Sequence, residues 1–138
     1  MNGTKEVTDG YVRNDFPGGF PGDSQNCFTA EGRTPQQQEM YQWLSKLLHW
    51  RQGNDVIVKG KQTQFTPYGG VYVVARQYEG KTVMTVLNGT SHPAQLDWKR
   101  YAELLGDKTT VGDVLTGEQY PTTEPKALAP RATLVLEF

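Results

Sequence analysis

The sequence predicts a mainly β protein, an antiparallel Greek-key β-sandwich preceded by a loop and one α-helix. Three observations predict it. Short apolar runs broken by turn residues fill Asn54 to Phe138, and 15 Gly with 8 Pro make the chain turn often. One stretch alone, Thr34 to Gly53, carries apolar residues at 3/4 spacing. Met1 to Arg33 has no sustained period and is dense in Gly, Asn, Asp, Thr and Pro, the composition of a long loop.

The helix has start and stop signals. Thr34 suits the N-cap, Pro35 the first helical position, and Gln37 completes a Thr-x-x-Gln capping box. Met40, Trp43, Leu44, Leu47, Leu48 and Arg51 follow the spacing, and Tyr41 and Trp50 widen the stripe. Gly53 supplies a left-handed stop. So broad and aromatic a stripe needs a cover. The expectation is that it packs on the sandwich or on a second copy of the chain, a homodimer through the helix face.

The β part is expected to run as follows. Val56 to Lys59 reads as a short strand, and Lys61 to Thr66 as a polar strand ended by Pro67. Gly70 to Gln77 is apolar on both faces and so central. Glu79-Gly80 is a two-residue hairpin signal. Lys81 to Asn88 returns, with Val83, Thr85 and Leu87 on one face and Met84 and Val86 on the other. Asn88-Gly89 breaks it. Leu96-Asp97-Trp98 looks extended, and Lys99 to Leu105 has room for one or two helical turns. Val111 to Leu115 and Ala132 to Phe138 are further strands. In the last, Thr133, Val135 and Glu137 alternate with Leu134, Leu136 and Phe138.

Composition excludes several functions. Fourteen Lys and Arg against 15 Asp and Glu leave net −1, without the clustered positive charge of a nucleic-acid or membrane-surface binder. No apolar run nears the roughly 20 residues of a membrane span. One cysteine, Cys27, rules out an internal disulfide and a multi-cysteine zinc site; it reads as a small buried or loop thiol. His49 and His92 lie far apart in sequence. No metal and no cofactor are expected. Asn2-Gly3-Thr4 and Asn88-Gly89-Thr90 fit the glycosylation pattern.

The run Asp9-Gly-Tyr-Val-Arg13-Asn-Asp15-Phe16-Pro17-Gly18-Gly19-Phe20 is the most specific stretch. It resembles the segment after the eighth barrel strand of α-amylase-type glycoside hydrolases, glycoside hydrolase family thirteen. The look is that of the neopullulanase and cyclomaltodextrinase branch, with its Arg-x-Asp-Phe-Pro-Gly-Gly run. Leu47-Leu48 with Arg51, then Val56-Ile57 and Gly60, is similar to the end of the eighth barrel helix leading into the C-terminal domain. Val71 to Arg76 with Val83 to Asn88 is similar to that domain's central hairpin, and Leu115 to Glu118 with Thr133 to Phe138 to its end. On this resemblance residues 1–53 are the last barrel loop and terminal helix of a truncated catalytic barrel, and residues 54–138 the C-terminal sandwich domain.

The resemblance implies a function for the whole enzyme, hydrolysis of α-glucans such as starch, maltodextrin or cyclodextrin. Retaining glycosidases hold two carboxyl groups about 5 to 5.5 Å apart. In the family the catalytic acids lie on barrel strands four, five and seven, and neither Asp9, Asp15, Asp23, Glu31 nor Glu39 aligns with one. No catalytic residue is assigned, and the chain alone is expected to be inactive. Its expected partners are an α-glucan oligosaccharide in the intact enzyme and the missing barrel. Asp9 and Arg13 match the Asp and Arg that hydrogen-bond a glucose ring on the non-reducing side of the cleaved bond. A carboxylate accepts from sugar hydroxyls and a guanidinium donates in a fixed fork. The alternative is that the two pair with each other or cap a turn. Tyr11, Phe16 and Phe20 are either a sugar-stacking surface or loop anchors packed on the barrel. Trp98 is the candidate for an accessory sugar site, against plain core packing. A non-catalytic carbohydrate-binding sandwich is the competing function, and a sandwich for protein contacts a third. An exported parent suits polysaccharide degradation, but the sequence leaves the compartment open.

Overall fold

Helix α1, Pro35–Arg51, starts where its capping box lies. Thr34 Oγ1 accepts from the Gln37 amide at 3.3 Å, and Gln37 Oε1 accepts from the Thr34 amide at 2.8 Å. Gly53, at φ +76°, ends the helical path. The structure, a computed structural model, describes residues 15–138. The chain forms two compact units, one up to Leu44 and one from Ser45 to Phe138, so the division falls inside α1.

In the second unit, residues 55–59 are helical rather than extended: α2 spans Asp55–Lys59. Asn54 caps it, its Oδ1 accepting from the Val56 amide at 3.1 Å, and Gly60 closes it with a bond to the Val56 carbonyl. An Asn cap before an acidic first residue outweighs the β preference of Val56, Ile57 and Val58. Eight strands follow: β1 Lys61–Tyr68, β2 Val71–Tyr78, β3 Lys81–Asn88, β4 Ala94–Leu96, β5 Thr110–Asp113, β6 Gln119–Pro121, β7 Lys126–Leu128 and β8 Thr133–Glu137. A 3-10 turn, Trp98–Tyr101, runs into α3, Ala102–Leu105. β1 continues past Pro67, contrary to expectation. The register shifts between Phe65 and Tyr68, and β1 is a sheet edge, where a missing amide costs no ladder bond.

Six strands form one antiparallel sheet in the order β1-β2-β3-β8-β5-β6, and β4 pairs with β7 in a second, two-stranded sheet. The last strand therefore inserts between β3 and β5, a non-sequential order of Greek-key character. Glu79 at φ +48° and Gly80 at φ +75° make the β2–β3 turn, both in the left-handed region that a two-residue hairpin of this twist requires.

The period-2 alternation divides the sheet as expected. Val71, Val73 and Ala75 of β2, Met84 and Val86 of β3 and Leu136 of β8 face one core. Leu96, Leu128, Trp98, Tyr101, Leu104 and Leu105 close that core from the second layer. Val83 and Val135 face the other side, where Val56, Leu47 and Trp50 cover them. So the C-terminal half of α1 packs on the sheet. No residue of α1 is fully buried, and Met40, Trp43, Leu44 and Leu48 stay 42–63% exposed.

Candidate functional site

Of the residues singled out for sugar contact, Asp9, Tyr11 and Arg13 lie outside the described residues, as does the Asn2 sequon. Phe16 and Phe20 belong to the first unit. Their loop is tied by Asp23, whose Oδ2 accepts from the Gly18 and Phe20 amides at 2.9 Å each. The Cys27 amide donates to the Pro17 carbonyl at 2.8 Å, which brings Phe28 beside Phe16. Those rings meet at 4.8 Å with a 53° tilt, a pairing that sequence distance hid.

Arg33 fastens the loop to the start of α1. Its Nε donates to the Cys27 carbonyl at 2.8 Å, Nη2 to the Phe28 carbonyl at 3.0 Å and Nη1 to Gln38 Oε1 at 2.9 Å. Its guanidinium carbon lies 3.7 Å from the centre of the Tyr41 ring. A planar fork suits such a junction, because its donors leave in fixed directions. Cys27 is buried beneath this junction, as a structural thiol would be.

The result is a groove of about 720 Å³ whose walls include Phe16, Phe28, Met40, Tyr41 and Leu44. Phe16 is 56% exposed and Phe28 66% exposed. Large apolar side chains held rigidly outward in one patch mark a surface that a partner or ligand covers.

Trp98 is placed differently. It is 2% exposed and packs inside the first core, so its indole presents no face on which a sugar ring can stack. Asp97 caps the turn that carries it, accepting from the Lys99 amide at 3.0 Å. That short turn aims Trp98 inward, an outcome fixed by the second layer's packing.

Two polar clusters of the second unit are structural. Asn88, 3% exposed, uses all four of its hydrogen-bonding positions. Nδ2 donates to the His92 and Ala129 carbonyls at 2.8 and 2.9 Å; Oδ1 accepts from Thr90 N and Oγ1 at 3.0 and 2.8 Å. Both amide hydrogens are committed inward, so folded Asn88 offers no site for a glycan despite its sequon. Asp113 accepts from the Leu115 amide at 2.7 Å and turns the chain toward β6. There Tyr120 OH donates to Glu118 Oε2 at 2.8 Å. Burial first, then the bond to Glu118, pushes the Tyr120 phenol up to about 12.

Trp50, Asn54 and Glu137 also converge, unremarked in the sequence. Glu137 Oε1 accepts from Trp50 Nε1 at 2.9 Å and from Asn54 Nδ2 at 3.2 Å. The alternation of β8 predicted only the face Glu137 would occupy; the pairing spans most of the second unit.

The family model of the cyclo-malto-dextrinase C-terminal domain matches residues 62–137. Among solved structures, AmyP in complex with maltose is similar at TM-score 0.66 and 20% identity, over 75% of this chain and 21% of that one. An α-amylase from Geobacillus thermoleovorans complexed with acarbose is similar at TM-score 0.60 and 20% identity, over 76% and 23%. An Anoxybacillus α-amylase is similar at TM-score 0.58 and 18% identity, over 77% and 25%. The chain thus spans about a fifth to a quarter of those enzymes.

Proposed function

Because the chain belongs to the cyclo-malto-dextrinase C-terminal domain family, we propose that it works as the C-terminal part of an α-glucan hydrolase of the α-amylase type. The match over residues 62–137 carries this reading. The apolar patch of the first unit supports it, since a rigid exposed face of Phe16, Phe28 and Met40 suits a covering catalytic body. Residues 1–53 are the last loop and terminal helix of that body, and residues 54–138 stabilise it from outside. The carboxylates that cleave the glycosidic bond come from barrel strands beyond this sequence. Asp9 and Arg13 hydrogen-bond a glucose unit in the assembled cleft. Burial of Trp98 speaks against the competing module that would stack sugar there.

The test compares the 138-residue chain with the same chain joined to its upstream coding sequence. The joined enzyme hydrolyses maltotriose and the 138-residue chain releases no glucose. In the joined enzyme Arg13→Ala raises KM. Hydrolysis by the 138-residue chain, abolished by changing one of its own carboxylates, overturns the reading.

A further inference from the structure

Asn88 ends β3 and is followed by Gly89. An asparagine before glycine is prone to react with its own backbone, because the next nitrogen has no neighbouring Cβ to shield it. We propose that Asn88 is a self-modification site: the folded end of β3 keeps it silent, and unfolding releases a deamidation that bars return to the native fold. In that reaction the Gly89 nitrogen loses its proton to hydroxide and attacks Asn88 Cγ. The N–Cγ bond forms, the Cγ–Nδ2 bond breaks, and Nδ2 takes a proton from water and leaves as ammonia. Water then opens the cyclic imide. Breaking N–Cγ gives aspartate; breaking the bond to the main-chain carbonyl carbon gives isoaspartate. Water is the only co-reactant, and nothing is oxidised or reduced.

The folded chain opposes each step. The Gly89 amide donates to the Gly70 carbonyl at 2.9 Å, so the proton that must leave is already bound. The leaving group, Nδ2, is tied to the His92 and Ala129 carbonyls at 2.8 and 2.9 Å. Arg131 Nη1 donates to the Gly89 carbonyl at 2.6 Å and holds that peptide in place. Ring closure needs the Gly89 nitrogen and Asn88 Cβ nearly eclipsed about the Asn88 Cα–C bond. Strand backbone, at ψ of about +135°, sets them more than a quarter turn apart. Asn88 is kept in the strand by its register with Val71 and by its amide, which donates to the Ala132 carbonyl at 2.9 Å. The two donors on Oδ1, Thr90 N and Oγ1, polarise the side-chain carbonyl and by themselves favour attack. Geometry overrides them, since a nucleophile held out of reach does not react. Once formed, either product is acceptor-only at position 88 and cannot donate to the His92 and Ala129 carbonyls. Isoaspartate also lengthens the main chain by one carbon at the β2–β3 register. Refolding is therefore lost with the amide.

The test incubates the full 138-residue chain in mildly alkaline buffer across a urea series. Trp98 fluorescence gives the fraction unfolded, and peptide mass mapping gives the conversion at Asn88 apart from that at any other asparagine. The Asn88 rate is expected to rise in proportion to the fraction unfolded, by about a hundredfold or more from buffer to full unfolding. Removing urea after long incubation should return native fluorescence only to chains that still carry the amide. Gly89→Ala separates the chemistry from the fold. Its new Cβ meets only the Gly70 carbonyl oxygen, at 3.6 Å, an ordinary contact. In urea it is expected to slow conversion severalfold and to raise the refolded yield in step. The inference is overturned by a rate that stays flat through the unfolding transition. It is equally overturned if Gly89→Ala converts in urea as fast as the parent chain, or if deamidated chains refold with the parent's urea midpoint.

Discussion

Replacing Asn88 with alanine removes a buried polar hub. Four hydrogen bonds of 2.8 to 3.0 Å disappear together. The losses are unequal. The His92 carbonyl keeps Thr90 Oγ1 at 2.9 Å, and the Ala129 carbonyl keeps the Ala132 amide at 3.1 Å. The Thr90 amide loses its acceptor outright. At about 1 kcal/mol net per bond, reduced where a second partner remains, the cost is about 2 to 4 kcal/mol. With a urea m-value of about 1.5 kcal/mol/M, the midpoint falls by roughly 1.3 to 2.7 M. Fluorescence of buried Trp98 reports the unfolding.

Asn88→Asp separates hydrogen bonding from packing. Its shape is nearly unchanged, but one oxygen now faces the His92 and Ala129 carbonyls where two donors stood. It is expected to destabilise at least as much as alanine. A loss below about 1 kcal/mol for Ala, or a stable Asp variant, would refute the claim that these bonds hold the β3 end and the segment before β8 together.

Two further predictions follow from the same reasoning. The raised Tyr120 phenol binds its proton more tightly folded than unfolded, so its stabilisation is complete below pH 10 and fades as pH rises through about 12. Roughly 2 to 3 kcal/mol is lost over that window, to which Tyr101, also raised by burial, adds in the same direction; Tyr120→Phe should flatten the slope in alkaline denaturation, and an unchanged slope counts against the assignment. The outward patch of the first unit should make the 138-residue chain associate at high concentration, and Phe28→Ser with Met40→Ser should reduce that in sedimentation without shifting the urea midpoint of the second unit. A shifted midpoint would mean these side chains support the sheet.

Local signals in the sequence translated directly into structure. Thr34 and Gln37 close their capping box because both partners lie within one helical turn. Glu79-Gly80 makes its hairpin because only two backbone conformations have to be satisfied. β3 runs from Lys81 to Asn88 with its two faces divided as the alternation required. Short elements were harder. The three-residue strands β6 and β7 carry too little pattern to read, and they exist because β5 and β4 offer them an edge. The α2 turn was legible in principle, from Asn54 before Asp55 and Gly60 after Lys59, but the three β-branched positions Val56, Ile57 and Val58 obscured it.

What sequence alone determined was the fold class, the family resemblance and the elements whose stabilising partners lie within a few residues. Tertiary structure decided which side chains became available for chemistry. It buried Trp98, set Phe16 against Phe28, and brought Glu137 to Trp50 and Asn54 across 87 and 83 positions of chain. The physical reason is range: caps and turns are satisfied by neighbours, whereas burial and convergence depend on which distant surface the packed sheet presents.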